Sequence, residues 1–306
     1  MRLIFMGTPE FAVPILDALY CGGHEIVAVV SQPDREKDKK GNILATPVKR
    51  YALSHGILCL QYDRISQHVT ELKELEPQIM ITAAYGQLLS KEVLEVPPFG
   101  ILNVHASLLP KYRGSSPVQS AILCGETTTG VTIMKTELGM DTGDIVSVAE
   151  VKIAETDTAD SLSEKLSNAG AKLLAETLPE YAAGRITPKK QNSELATYCK
   201  KIVKADGIID WTLSAREIAH KIRAYNSWPV ASTFLHGAAF KIYEAKECDR
   251  RGEPGSVTVE NGEMFVGCGV GSIKLAVVQL PGKKAMGIAE FLRGHKIEKG
   301  TVLKNA

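Results

Sequence analysis

No CxxC pair occurs in this chain: its six cysteines, at 21, 59, 124, 199, 248 and 268, are widely scattered. In 306 residues that spacing argues against a zinc site or a disulfide scaffold and reads as free thiols in a reducing compartment. No apolar run is long enough to span a bilayer. The opening Met1-Arg-Leu-Ile-Phe-Met-Gly-Thr-Pro-Glu10 has neither the basic leader nor the long apolar core of an export signal. The expectation is a soluble, cytoplasmic protein with no metal and no membrane partner. Nucleotide and hydrolase signatures are missing too, with neither a Walker sequence nor a GxSxG elbow. Gly7 follows the first apolar run, but Gly7-Thr-Pro-Glu-Phe-Ala12 is not GxGxxG, and Glu10 would repel a pyrophosphate. The seven histidines form no recognisable metal cluster, and there are no internal repeats.

What is present begins with an uneven charge. The total is +1, yet residues 1–183 carry a net −7 and residues 184–306 a net +8. A basic half suits a polyanion, because clustered cations gain from phosphate contacts and counterion release; it also suits a merely solvated basic surface. Apolar residues at 44% fit an ordinary globular protein long enough for two domains.

Short β-rich runs alternate with helical stretches through the first half. Strands are expected at 3–6, 24–30, 57–60, 78–83, 101–104, 131–134 and 145–153. Helices are expected at 11–20, 48–55, 70–75, 116–123 and 158–178. That cadence predicts an α/β domain, a Rossmann-like, mostly parallel sheet covered by helices. A helix over 211–225 is followed by five closely spaced strands between 231 and 279, which points to a small β-barrel of OB-like type. The domain reading is 1–183 for chemistry, 184–205 as a linker or strap containing Pro188 and paired lysines, and 206–306 as the β-barrel.

Two segments carry candidate chemistry. In Asn103-Val-His105, strand alternation puts the amide and the imidazole on one face and Val104 on the other. The pair lies where an open parallel sheet presents ligands, beyond its strand C-termini, and a helix starting after Pro117 offers unpaired N–H groups nearby. The glycine-bearing loop Leu138-Gly-Met-Asp-Thr-Gly-Asp144 supplies a carboxylate; from the pattern alone Glu137, Asp141 and Asp144 all qualify. An amide, an imidazole and a carboxylate suggest acyl transfer without a covalent enzyme intermediate.

The resemblance becomes specific through 6–12 (Met-Gly-Thr-Pro-Glu-Phe-Ala), 31–35 (Ser-Gln-Pro-Asp-Arg), 84–86 (Ala-Tyr-Gly) and 103–110 (Asn-Val-His-Ala-Ser-Leu-Leu-Pro). It continues through 130–134 (Gly-Val-Thr-Ile-Met), 140–144 (Met-Asp-Thr-Gly-Asp), 222–229 (Ile-Arg-Ala-Tyr-Asn-Ser-Trp-Pro) and 290–294 (Glu-Phe-Leu-Arg-Gly). Over nearly its whole length the chain resembles the methionyl-tRNA formyltransferases, within the folate-dependent formyltransferases. That resemblance implies transfer of a formyl group from 10-formyltetrahydrofolate to initiator methionyl-tRNA, with no metal and no obligate protein partner. It implies a reacting centre of Asn103, His105 and Asp141, and a folate slot of Ser107, Leu108, Leu109, Pro110, Tyr85 and Gly86. It also places Phe11 beside the methionine side chain. Residues 34–50 resemble a loop that embraces the acceptor end of the tRNA, through Arg35, Lys37, Lys39 and Lys40. Here the loop reads Glu36-Lys-Asp-Lys-Lys-Gly-Asn42 where the family commonly has Pro-Ala-Gly-Arg-Gly-Lys-Lys, so Lys39 stands at an arginine position. Arg223, Asn226 and Trp228 read as interdomain packing rather than ligands. The alternatives are a folate-dependent formyltransferase for an amino-sugar nucleotide and an inactive RNA-binding relative.

Overall fold

The apolar run Leu3–Met6 is buried on both faces, as central strands of a helix-covered parallel sheet must be. In the computed structural model, which describes residues 1–38 and 40–304, it forms the middle of β1 (Arg2–Gly7). β2 (Glu25–Ser31), β3 (Cys59–Gln61), β4 (Ile79–Ala83) and β5 (Ile101–His105) join it in the order β3-β2-β1-β4-β5, all parallel. After the two-residue β6 (Arg113–Gly114), the antiparallel β7 (Thr128–Lys135) and β8 (Ile145–Lys152) extend the sheet beyond β5. Strand order reverses between β1 and β4, so their C-terminal ends open a crevice beside β5.

In chain order, the stretch up to residue 182 also holds helices α1 (Val13–Cys21), α2 (Pro47–Ser54), α3 (Val69–Glu74), α4 (Lys91–Leu94), α5 (Pro117–Leu123) and α6 (Ala159–Ala182). Prolines sit in the first turns of α1 and α2, where no N–H is needed, and Thr46 caps α2 through the Lys49 N–H. Phe11, expected inside a helix, lies instead in a 3-10 turn (Glu10–Ala12) that precedes α1. Gly7 is required for packing: a Cβ there would lie 2.7 Å from Ala12 Cβ and 2.9 Å from Ala83 O.

The second half is antiparallel. β10 (Ala231–Leu235), β11 (Ala238–Cys248), β12 (Val257–Glu260), β13 (Glu263–Gly267) and β14 (Ser272–Gln279) run in the order β10-β11-β14-β13-β12. Residues 301–304 close this sheet. Lys304 and Phe234 of β10 exchange backbone hydrogen bonds, while Leu303 N–H donates to Gly255 O and Val257 N–H to Thr301 O beside β12. The tail thus pairs with Phe234 of one edge strand and with the start of the other, β12. Inside pack Trp211, Ile218, Phe240, Val266, Leu275 and Phe291.

The helix expected over 211–225 is shorter, α7 (Ala215–Ala224). Its start is set by a capping box in which Ser214 and Glu217 satisfy each other's backbone N–H groups. Trp211 stays outside it, its indole N–H donating to Thr233 Oγ1. A short strand (Met286–Gly287) and helix (Ile288–Gly294) follow β14 and were not expected.

Two compact units result: Met1–Pro117 with Thr128–Lys152 and Ser163–Cys199, and Val118–Thr127 with Ile153–Leu162 and Lys200–Ala306. Within the second, Arg223 Nη1 donates to Asp157 O at 2.9 Å and Asn226 Nδ2 to Tyr243 O at 2.6 Å, while Trp228 is exposed. Among the described residues no helix is long and apolar enough to cross a membrane, and no group of three His, Cys, Asp or Glu side chains could hold a metal.

Candidate active site

β5 delivers Asn103 and His105 to one face of the sheet, while Val104 points to the other, toward Gly170 of α6, where an added Cβ would lie 2.8 Å from Val104 Cγ1. Thr82, the parallel neighbour of Asn103 on β4, donates its hydroxyl to Asn103 Oδ1 at 2.8 Å. That bond occupies the amide oxygen and leaves the Nδ2 hydrogens for another acceptor. His105 is 6% exposed, and its Nε2 is 3.0 Å from Tyr112 O. A carbonyl can only accept, so Nε2 carries a proton and Nδ1 is the nitrogen left for chemistry.

Nδ1 faces Asp141, whose Oδ2 is 3.7 Å away and accepts the Gly114 N–H at 2.8 Å. Of the three carboxylates open in the sequence, Asp141 is the one the fold brings to His105. Its loop is tightly determined: a Cβ on Gly143 would collide with Lys135 O at 1.8 Å. Asp141 itself has φ +51, a left-handed conformation that costs a non-glycine residue about 1–3 kcal/mol and needs outside support. Gln191 supplies it, donating from Nε2 to Asp141 O (2.8 Å) and Gly143 O (2.7 Å).

The segment after β5 is pinned by Thr132, the cross-strand partner of His105: its Oγ1 accepts from Leu109 N (3.1 Å) and donates to Ser107 O (2.6 Å). Ser107 is fully buried with its hydroxyl on Lys111 O, and Leu109 is buried before a cis peptide to Pro110. Leu108 lies over Gly130, where a Cβ would come within 2.5 Å of its Cδ2. After β4, Ala84 and Gly86 are exposed with positive φ, while the Tyr85 side chain is buried among Ile4, Met6, Met80 and Ile101. Burial pushes the Tyr85 phenol pKa up, and its hydroxyl has no hydrogen-bond partner. The Tyr85 carbonyl accepts from Thr8 Oγ1 (3.0 Å) and Gln32 Nε2 (3.3 Å), so what this turn leaves exposed is Ala84 and Gly86. Phe11 is half-buried, and Ser167 Oγ donates to its carbonyl at 2.6 Å.

Residues 36–38 and 42–44 pair as the two arms of a small hairpin: Leu44 N–H donates to Glu36 O and Asp38 N–H to Asn42 O, and the Asp38 carboxylate accepts the Lys40 and Asn42 N–H groups. Lys37 and Lys40 are exposed, Arg35 pairs with Asp63 at 3.0 Å, and Lys39 lies outside the described residues. At the hairpin's base Asp34 meets Lys49 Nζ at 2.5 Å and Gln61 Nε2 at 2.8 Å. Burial opposes its ionisation, but the Lys49, Gln61 and Thr46 hydrogen bonds outweigh it, so the Asp34 carboxyl titrates below its ordinary value. A shallow groove of about 480 Å³ beside Phe99, Lys135 and Tyr181 lies at the other end of β5 and holds none of these residues.

A formyl transferase family model matches residues 1–178, and the formyl transferase C-terminal domain model matches residues 201–296. The chain belongs to the formyl transferase family. Methionyl-tRNA formyltransferases from Caldanaerobacter subterraneus (43% identical over 99% of this chain and 100% of the relative) and Bacillus subtilis (44% over 99% and 97%) are among its relatives. Among solved structures, the Helicobacter canadensis N-formyltransferase, crystallised with folinic acid and dTDP-3-aminofucose, superposes with a TM-score of 0.68 at 20% identity. That match covers 92% of this chain and 99% of that one. The Clostridium thermocellum methionyl-tRNA formyltransferase gives 0.58 at 16% identity, over 92% and 98%. At those identities the superpositions show the fold.

Sequence reasoning missed Thr82, Arg113 and Gln191. Gln191 fell in the presumed linker, where neither periodicity nor motif marked it.

Proposed function

We propose that this protein transfers the formyl group of 10-formyltetrahydrofolate to the amino group of initiator methionyl-tRNA, giving N-formylmethionyl-tRNA and tetrahydrofolate. The observation that carries the chemistry is the pairing of His105 Nδ1 with an Asp141 carboxylate fixed by the Gly114 N–H, on the same sheet face as Asn103. Full-length relatedness to methionyl-tRNA formyltransferases supports the choice of acceptor.

The amine nitrogen attacks the formyl carbon, and the carbonyl π pair moves onto oxygen. Asn103 Nδ2 and a proton on His105 Nδ1 stabilise that oxyanion, each such donor contributing about 3 kcal/mol. Asp141 Oδ2 is held by Gly114, which leaves Oδ1 to take the proton from the attacking amine. On collapse the carbon–N10 bond breaks, and N10 leaves with a proton relayed through Asp141 and His105. No serine or cysteine nucleophile enters the sequence of steps.

The exposed Ala84 and Gly86 flanking Tyr85, together with Ser107, Leu108, Leu109 and Pro110, suit a flat heterocycle beside an apolar wall. Phe11 serves the methionine side chain. Residues 1–183 carry formyl transfer, 184–205 connect, and 206–306 bind tRNA through phosphates, in keeping with their positive balance. Arg35, Lys37, Lys39 and Lys40 contact the acceptor end, and the protein works in the cytoplasm.

The test supplies 10-formyltetrahydrofolate with charged initiator methionyl-tRNA, or with a dTDP-amino sugar in parallel. Formylmethionine only in the first reaction is expected. Formylation of the sugar alone would replace tRNA with an amino-sugar nucleotide, and RNA binding without transfer in either would leave an inactive relative.

A further inference from the structure

Residues 185–199 are bound into the first unit by a ladder of specific hydrogen bonds. Lys189 and Ile145 exchange backbone hydrogen bonds at 2.8 Å. Thr197 accepts from Arg113 N through its carbonyl (2.9 Å) and from Tyr112 N through its hydroxyl (2.8 Å). β9 (Tyr198–Cys199) then runs parallel to β6, and Cys199 Sγ accepts from Ser116 N at 3.4 Å. The strap therefore touches the two segments that frame the reacting carboxylate: the Tyr112–Gly114 turn, which holds His105 Nε2 and Asp141 Oδ2, and the loop carrying Asp141 itself.

One side chain joins them. Gln191 Nε2 donates to the carbonyls of Asp141 and Gly143, while its Oε1 accepts from Arg113 Nε (3.0 Å) and Nη2 (2.8 Å). Arg113 is 2% exposed, and its guanidinium also reaches the Tyr198 hydroxyl at 3.3 Å. A buried guanidinium bonded to a neutral amide and a phenol is a costly arrangement to keep for fold stability alone, since neither partner offsets its charge. Here it has a geometric use. The two-pronged Arg113 donor fixes the Gln191 amide so that oxygen faces the guanidinium and nitrogen faces the loop. That nitrogen then holds both carbonyls flanking Thr142, where the backbone passes through the unfavourable left-handed conformation of Asp141.

We propose that Gln191, oriented by Arg113, is a positioning residue that holds the Asp141 loop in its reactive conformation. This rests on the reading of Asp141 as the proton acceptor in formyl transfer. Gln191→Glu separates positioning from folding. The carboxylate keeps, and charges, the pairing with Arg113, but it places oxygen where Nε2 donated and repels the two loop carbonyls. The loop must shift, and misplacement of a reacting group by about 1 Å costs on the order of 10²-fold in rate.

The experiment measures kcat and KM for formyl donor and methionyl-tRNA in wild type, Gln191→Glu and Asp141→Ala, with thermal unfolding of each. The expected result for Gln191→Glu is a wild-type unfolding temperature, kcat lower by roughly 10²-fold and both KM values within about threefold of wild type. A folded Gln191→Glu with kcat near wild type, beside an inactive Asp141→Ala, overturns the positioning role and leaves the active-site reading standing. Activity retained in Asp141→Ala overturns that reading and the positioning role with it. Should Gln191→Glu fail to fold, the double variant Arg113→Met/Gln191→Leu removes the polar pair as a unit, and the same kcat loss at unchanged KM is expected of it. A folded double variant with wild-type kcat refutes the proposal.

Discussion

Replacing Thr82 with valine removes one hydroxyl that touches no reacting atom in the proposed mechanism, yet its effect on rate can be worked out from the hydrogen bond it makes. Thr82 is 6% exposed, and its O–H donates to Asn103 Oδ1 at 2.8 Å. A net hydrogen bond of about 1 kcal/mol biases the amide roughly fivefold toward the face that aims Nδ2 at the oxyanion. Without it the two amide faces become equal. The productive fraction then falls from about five-sixths to about one-half, a drop of only about twofold in single-turnover rate. Asn103→Ala removes the donor outright, about 3 kcal/mol or roughly 10²-fold. The decisive measurement is the double-mutant cycle under saturating 10-formyltetrahydrofolate and methionyl-tRNA, with unfolding curves to confirm folding. Thr82→Val should change the rate about twofold in the wild-type background and not at all in Asn103→Ala, because no amide is left to orient. If Thr82→Val matches Asn103→Ala in severity, or keeps its effect in the Asn103→Ala background, Thr82 does not act through the amide and the orientation argument fails.

His105→Ala should lower single-turnover transfer by orders of magnitude in a folded protein; near-normal transfer sinks the assignment of His105 to the reacting centre. Asp34 holds its proton less tightly in the folded chain than in the unfolded one. Its stabilisation is therefore complete above its ordinary value of 3.8 and disappears as pH falls through the lower folded value. Lys49→Met should shrink that acid-side destabilisation in urea unfolding measured between pH 6 and 3, and an unchanged pH dependence would mean Lys49 does not hold Asp34. Removing both Lys37 and Lys40 should weaken tRNA binding and flatten the log K against log salt slope by roughly 0.7–0.9 for each phosphate no longer neutralised. Binding that keeps its affinity and slope assigns those lysines to solvent. Ser214→Ala removes half of the α7 capping box and should cost about 1 kcal/mol, read as a lower unfolding temperature of the second unit.

The parallel strands were legible because both faces are covered, so 3–6, 78–83 and 101–104 read as largely apolar runs. Asn103 and His105 were legible together for an equally local reason, the two-residue period of a strand. From the local pattern alone Asp141 was not separable from Asp144 or Glu137, and only the resemblance selected it, because what distinguishes it is the Gly114 N–H, brought 27 positions along the sequence by the fold. Gln191 left no local mark at all: its role depends on carbonyls 48 and 50 positions away. The start of α7 was placed at Trp211, four residues too early. In the structure it is a core anchor bonded to Thr233, and the nearby Ser214-x-x-Glu217 signature was the better guide. Closure of the second sheet by 301–304 could not be read from those few residues, which show no alternation long enough to declare a strand.

The division of the chain has a consequence for exchange between relatives. Because the second unit includes Val118–Thr127 and Ile153–Leu162, a single crossover after Cys199 does not transplant it whole. Such a chimera would join a foreign residue 200–306 segment to native inserts with which it has not been selected to pack. His220 against Gly125, where a Cβ would lie 2.7 Å from the imidazole, and Arg223 on the Asp157 carbonyl are two places where the mismatch would register. Recombination that preserves function in this protein needs three coordinated exchanges, which makes the two halves inherit as one.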